Sequence, residues 1–340
     1  MNKYIPQIYI HLKMNSETRT KQNLKRTLAT AFLLAFISFG TFAAKKQVIV
    51  AQDGSGNFKT ITEAINSVPD SNANEILIFI KNGIYKEKLN IPKAKTHISL
   101  LGQDVNKTII TYDDYASKKD SFGKDIGTSG SRSVYVQCND FKAENITFEN
   151  SSGPVGQAVA LSVGGDRVFF ENCRFLGFQD TIYTFGNTNR QYFYKCYIEG
   201  TVDFIFGAAT AVFEKCEIFC KKAGYITAAS TPEGQKYGYV FQNCKISGSA
   251  PAKSFFLGRP WRPNANVVFI KCELPALIKP EGWNNWGKES NEKTAFYAEY
   301  KNKGEGYQPE NRVKWSKQLT KNEAEKYAVS NVLGDWKPEK

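Results

Sequence analysis

The chain is poor in histidine: two among 340 residues, of which only His97 follows the N-terminal apolar stretch. It stands against Ile98-Ser99-Leu100-Leu101, with no serine and carboxylate grouped around it. A Ser-His-Asp triad needs all three groups together, so that route to a nucleophile is excluded. A zinc site of cysteine and histidine is equally unsupported, because no CxxC pair has a histidine to complete it. Neither a Walker loop nor a dinucleotide fingerprint occurs. Also missing are a heptad period, a low-complexity linker and any apolar run of membrane-spanning length beyond the N-terminus.

That N-terminus reads as an export signal. Lys21, Lys25 and Arg26 precede an uncharged stretch from Leu28 to Phe42, and Thr41-Phe42-Ala43 places small residues at the third and last positions before a cut. The boundaries expected are residues 1–43 for a signal peptide and 44–340 for a single catalytic domain, secreted or periplasmic, off the membrane once cleaved and monomeric. The charge is 45 Lys+Arg against 33 Asp+Glu, and residues 1–43 hold six of the former and one of the latter. The remainder is 39 against 32, a net of +7. A basic exported protein suits a polyanion. Export points away from nucleic acid and toward an acidic polysaccharide, although charge alone does not distinguish this from an ordinary solvated surface.

Five of the seven cysteines, which run from Cys138 through Cys272, mark a repeat. Asn145-Ile146-Thr147-Phe148, Asn172-Cys173-Arg174-Phe175, Lys195-Cys196-Tyr197-Ile198, Lys215-Cys216-Glu217-Ile218, Asn243-Cys244-Lys245-Ile246 and Lys271-Cys272-Glu273-Leu274 follow one pattern, at spacings of 27, 23, 20, 28 and 28 residues. Phe170, Phe213, Phe241 and Phe269 stand three positions before cysteines of this series. Alternation of period two at such spacing describes a solenoid with one short strand per repeat. The fold class expected is all-β, a right-handed parallel β-helix with Cys, Phe and Ile ladders inward. Thr60-Ile61-Thr62-Glu63 predicts a short capping helix that ends near Pro69. Thr320-Lys321-Asn322-Glu323 repeats the signal. From about Glu281 onward the repeat fades, which predicts a tail laid along the outside of the coil.

Two carboxylates occupy equivalent places in successive repeats. Asp180 lies seven residues after Cys173, and Asp203 seven after Cys196. Adjacent parallel strands are about 4.8 Å apart. Two charges about 5 Å apart at an effective dielectric of about 20 repel by roughly 3 kcal/mol, or about two pKa units. One carboxyl then keeps its proton near neutral pH while the other stays a nucleophile, and a cation selects which; Arg259 is the candidate. The competing reading is a structural turn or an asparagine-like ladder. The same spacing also fits a retaining glycosidase. The neighbours favour acyl chemistry, since Gln157 and Gln179 offer neutral amide donors for an oxyanion. One geometric demand remains: strand alternation aims Gln179 and Asp180 oppositely, so both serve only where the chain bends.

These residues resemble the pectin methylesterase (pectinesterase) family of carbohydrate esterases. The likeness runs over roughly residues 47–338, from Val50-Ala51-Gln52-Asp53-Gly54-Ser55-Gly56 through Gly177–Tyr183 and Gly200–Gly207 to Leu257-Gly258-Arg259-Pro260-Trp261. The resemblance implies a right-handed parallel β-helix, no cofactor, and methyl-esterified homogalacturonan as the partner. It implies Asp203 as nucleophile, Asp180 as acid and then base, Gln157 and Gln179 as oxyanion donors, and Arg259 as the group that orients Asp203. Trp261 matches an aromatic that stacks on the sugar, and Thr128 a substrate-contacting threonine; Phe178, Tyr183 and Phe206 are further candidate contacts. Cys196 and Cys216 match a pair that is bridged in plant members. Other β-helix proteins of acidic glycans, a pectate lyase, a polygalacturonase or a non-catalytic binder, stay open as alternatives.

Overall fold

The computed structural model describes residues 46–339; the expected signal peptide, residues 1–43, lies outside them. Every strand pairing in the three sheets of the described residues is parallel, and the central turns of the chain give one strand to each sheet. The first sheet has 11 strands, from Lys46–Val50 to Lys317–Gln318. The second has seven, from Gly83–Lys86 to Lys245–Gly248, and the third has seven, from Leu89–Ile91 to Phe255–Pro260. The fold is a right-handed parallel β-helix.

The cysteine repeat marks the corner between the first and second sheets. Asn145, Asn172, Lys195, Lys215, Asn243 and Lys271 all have φ between 48° and 57°. A left-handed residue there turns the chain from one sheet to the next. Asparagine takes that conformation readily and lysine at some strain. The residue that follows is buried inside the bend: Ile146 in the first of these turns and cysteine in the other five. The Sγ atoms donate to carbonyl groups there, Cys196 to Phe170 and Tyr194 at 3.5 Å and Cys216 to Phe193 at 3.4 Å. All seven cysteines are buried free thiols, so the bridge that the resemblance implies between Cys196 and Cys216 is not formed. Beside them Phe170, Phe193, Phe213, Phe241 and Phe269 stack ring on ring, with centroids 4.3–4.9 Å apart. This ladder forms the spine of the core.

The N-terminal end is covered by the helix Ile61–Ser67, whose Thr60 and Glu63 form the expected capping box and whose Ile61, Ala64 and Ile65 are buried. Glu87 adds a second cap, accepting from the backbone N–H of Ile61 and of Thr62 at 2.9 Å.

The C-terminal tail starts later than Glu281. Trp283 is buried in the main core and bridges Gly258 in parallel register, and strands Phe296–Tyr300 and Lys317–Gln318 extend the first sheet. The cysteine pattern stops at Cys272, but the coil continues with Trp283 and Tyr297 filling the interior. A buried ion pair closes this end: Arg312 Nε donates to Glu299 at 2.6 Å, and the guanidinium also donates to the carbonyls of Pro280 and Gly306. The outer layer consists of the helices Lys321–Glu325, with its own Thr320–Glu323 capping box, and Val329–Leu333. Their Ala324, Val332 and Leu333 pack with Tyr192, Val212 and Val240 of the first sheet.

Candidate active site

The outer face of the third sheet carries the site. Val134, Leu161, Ile182 and Ile205 are in-register neighbours on successive rungs and point into the core. Asp180 stands two residues before Ile182, and Asp203 two before Ile205, so the acids occupy neighbouring rungs. The Asp180 backbone N–H donates to the carbonyl of Val202 at 3.2 Å. Both aspartates are left-handed, with φ of 67° and 52°. That conformation answers the bend required of adjacent Gln179 and Asp180: at Asp180 the chain leaves the extended conformation, and both side chains line one cleft. Gln157 and Gln179 form a parallel bridge of their own, with Ala158 N–H donating to the Gln179 carbonyl at 3.1 Å.

The two acids differ in their surroundings. Asp180 is 4 % exposed and Asp203 6 %. Arg259, on the strand Phe255–Pro260, donates from Nε to one Asp203 oxygen at 2.9 Å and from a terminal nitrogen to the other at 2.6 Å. This two-pronged geometry fixes a carboxylate in place and favours its ionised form. Burial raises the Asp203 pKa above the usual carboxylate range, and Arg259 opposes the rise. Asp180 lacks such an ion pair. Burial, then the charge of Asp203, pushes its pKa up to about 8, with partial relief from the Gln157 amide and from Arg259. At neutral pH Asp180 therefore holds a proton and Asp203 is the group whose anion is supported.

Arg259 is itself clamped. Its guanidinium carbon lies 3.9 Å from the centroid of the Tyr225 ring and 3.7 Å from that of Trp286. Stacked aromatic faces leave the in-plane N–H groups free to reach Asp203.

The cleft measures about 470 Å³ and is lined by Gln157, Gln179, Asp180, Asp203 and Arg259 together with Thr128, Ser129, Tyr183, Phe206, Ala228, Trp261 and Trp286. Tyr183 and Phe206 stack at 4.4 Å, and Trp261 meets the Phe206 ring at 5.9 Å edge-on, giving an apolar floor beside the acids. Thr128 comes from the short helix Gly127–Gly130, tied to the site because Ala116, which holds the N–H of Gly127, donates to the Gln157 carbonyl at 2.8 Å.

Phe178 is the one expected contact absent from this lining. It lies at the corner before the bend, half-buried, with Lys221 Nζ 3.6 Å from its ring centroid. Conversely, Trp286 and Tyr225 were not expected. Trp286 falls in the segment that sequence reading placed outside the coil. Its local signal is Asn284-Asn285-Trp286-Gly287, in which Asn284 and Asn285 side chains each accept from a backbone N–H two residues on, at 2.8 Å. Such Asx turns mark a tight reversal, and Trp286 sits in it at φ 63°.

Comparison with known proteins agrees with the resemblance in sequence. The family model described as Pectinesterase matches residues 47–335. Pectinesterase 31 of Arabidopsis thaliana is 44 % identical over 288 residues, covering 83 % of this chain and 90 % of that protein. The chain spans about half the length of relatives described as pectinesterase/pectinesterase inhibitor, for example 52 % of one from Brassica campestris. Among solved structures, the pectin methylesterase from carrot superposes with a TM-score of 0.79 at 34 % identity, covering 86 % of this chain and 95 % of that one. A pectin methylesterase in complex with a hexasaccharide gives 0.76 at 33 %, covering 87 % and 99 %. With nearly the whole described coil matched in sequence and in fold, the chain belongs to the pectinesterase family.

Proposed function

We infer that the protein is a pectin methylesterase that hydrolyses the C6 methyl esters of homogalacturonan to pectate and methanol. The observation that carries this reading is the unequal pair: Asp203 gripped at both oxygens by Arg259, and on the neighbouring rung a buried Asp180 with no such ion pair. An Asp203 oxygen attacks the ester carbonyl carbon, and the carbonyl electron pair moves to oxygen. Amide N–H groups of Gln157 and Gln179 receive that oxyanion. The pair returns, the C–OMe bond breaks, and the departing methoxide takes the Asp180 proton and leaves as methanol. What remains is an anhydride between Asp203 and the uronate. Asp180, now a carboxylate, removes a proton from water; the hydroxide attacks the acyl carbon, Asp203 leaves as carboxylate, and Asp180 is again protonated. Thr128, Tyr183, Phe206 and Trp261 contact the sugars in this reading.

The test is a pH-stat titration of highly methylated pectin with methanol measured in parallel. One methanol per acid released, with chain length unchanged, is expected. Shortened chains or unsaturated ends without methanol would assign the site to a glycosidase or lyase instead.

Residues 1–43 serve as an export signal in this account, leaving a monomeric mature chain of residues 44–340 outside the cytoplasm. Among the described residues no helix is long and apolar enough to cross a membrane. N-terminal sequencing of the exported protein should begin at Ala44, and an intact residue 1–43 segment would rule out cleavage.

A further inference from the structure

Gln157 enters the site straight from a turn, so its place must be set from outside its own segment. Gly153 and Gly156, at φ of 83° and 106°, bend the chain just before it, and the regular strand Leu161–Val163 begins only after Ala160. On the side of Gln179 a backbone ladder reaches it. The two glutamines form their bridge, and the N–H of Ala160 donates to the Thr181 carbonyl at 2.9 Å. On the opposite side the ladder stops short. The N–H groups of Val134 and Ser133 donate to the carbonyls of Ala160 and Val159 at 3.1 and 2.9 Å. Before Ser133 the neighbouring chain is the short helix Gly127–Gly130, whose Gly127 and Thr128 carbonyls receive the Ser131 N–H instead.

Two buried side chains continue the ladder where the backbone leaves it. Ser131 Oγ accepts from the Val159 N–H at 3.1 Å and donates to the Thr128 carbonyl at 2.7 Å. Asn150, the last residue of the strand Thr147–Asn150, aims its amide nitrogen at three carbonyls: Asp114 at 2.9 Å, Ser131 at 3.1 Å and Val159 at 3.2 Å. Its amide oxygen accepts from the Ser152 N–H at 3.1 Å. Ser131 is fully buried and Asn150 is 3 % exposed. The Asp114 end of this knot leads to Ala116, which donates to the Gln157 carbonyl. Three segments that meet around Gln157 are thereby joined: its own, the helix that carries Thr128, and the chain that holds its carbonyl. Buried polar groups so connected permit little movement, because each lost bond leaves a partner without water to replace it.

We propose that Asn150 and Ser131 are positioning residues for the oxyanion, which act through Val159 to fix the Gln157 amide relative to the two acids and to Thr128. Thr128 and Gln157 line the cleft, whereas Ser131 and Asn150 stand behind it. An oxyanion donor is effective only at about 2.7–3.1 Å from the atom that gains charge, and that charge exists in the transition state rather than in the bound substrate. Freeing the Gln157 segment on one side therefore slows the chemical step and leaves substrate binding nearly intact. This inference rests on the esterase reading and adds to it two residues outside the cleft.

The experiment measures methanol release from a methylated oligogalacturonide by full-length wild type, Ser131→Ala, Asn150→Leu, Gln157→Ala and the two double variants that carry Gln157→Ala, each first shown to be folded by circular dichroism. Ser131→Ala removes a single hydroxyl and serves where Asn150→Leu fails to fold. Either single variant should lose about tenfold or more in kcat, with KM changed by less than about twofold. In the Gln157→Ala background the same changes should cost less than about twofold, because the group they position is already gone. The alkaline limb of kcat/KM should also move upward in the single variants. Asp180 there loses the Gln157 hydrogen bond that opposes its raised pKa, while Asp203 and Arg259, the charged groups that act on it, are unchanged. Losses that multiply with that of Gln157→Ala, or a limb that stays in place, would show a structural role alone and overturn the proposal. Wild type that releases no methanol would instead remove the esterase reading, and this inference with it.

Discussion

Replacing Asp180 by asparagine should stabilise the fold, and more so as pH rises. In the native state its pKa lies at about 8, against an ordinary value of 3.8. Below pH 4 the carboxyl is protonated in folded and unfolded chains alike, and burial carries no ionisation penalty. Between about 4 and 8 the unfolded chain releases the proton while the folded one retains it. Stability therefore falls with rising pH, by about 1.4 kcal/mol per unit. Above about 8 both states are ionised and the loss levels off. At pH 7 the loss is on the order of 4 kcal/mol, whereas exchanging the Asp180–Gln157 hydrogen bond for an amide pair alters stability by only about 1 kcal/mol. Asparagine removes the titration. Urea unfolding of wild type and Asp180→Asn at pH 5 and pH 8, followed by tryptophan fluorescence, measures the difference. The variant's advantage should grow by about 4 kcal/mol between those conditions. An advantage independent of pH, or one that shrinks as pH rises, would show that Asp180 is not a buried acid holding its proton.

The same group sets the alkaline limb of activity: kcat/KM for methanol release should decline about tenfold per unit above pH 8, where Asp180 no longer has a proton to give, and a flat profile to pH 10 would contradict its role as acid. Tyr225 acts through Arg259, so Tyr225→Leu should lower kcat and move the acid limb upward as Asp203 loses its clamped partner, while Tyr225→Phe, which keeps the ring face, should restore both. Arg312→Ala leaves Glu299 charged and buried, and should destabilise the C-terminal end by about 3–5 kcal/mol in urea unfolding; a loss under 1 kcal/mol would mean the pair is not holding that end together.

Much of the architecture could be read from residue order because a solenoid repeats its local chemistry. The cysteine series gave the rung spacing, and the place of Asp180 and Asp203 within it put the acids on neighbouring turns. Two things resisted. The cysteines mark the corners, and this became visible only in the positive φ of the Asn or Lys before each one; a strand and a bend share the same small-then-large alternation over so few residues. The last turn was also hidden, since Trp283 and Tyr297 replace the Cys and Phe ladders there. That obscured Trp286, whose position against Arg259 depends on a reversal that carries no periodic signal. Phe178 falls outside the cleft because consecutive extended residues alternate: Gln179 faces the site, so Phe178 before it faces away.

The division of labour between the two aspartates is tested most directly by quenched-flow measurement of methanol from one methylated oligogalacturonide with wild type, Asp203→Asn and Asp180→Asn, each first shown to be folded by circular dichroism. Both variants should be slower by at least about a thousandfold, since each removes a group on which bond making or breaking depends. Methanol release by folded Asp203→Asn at a rate near that of wild type would contradict the account.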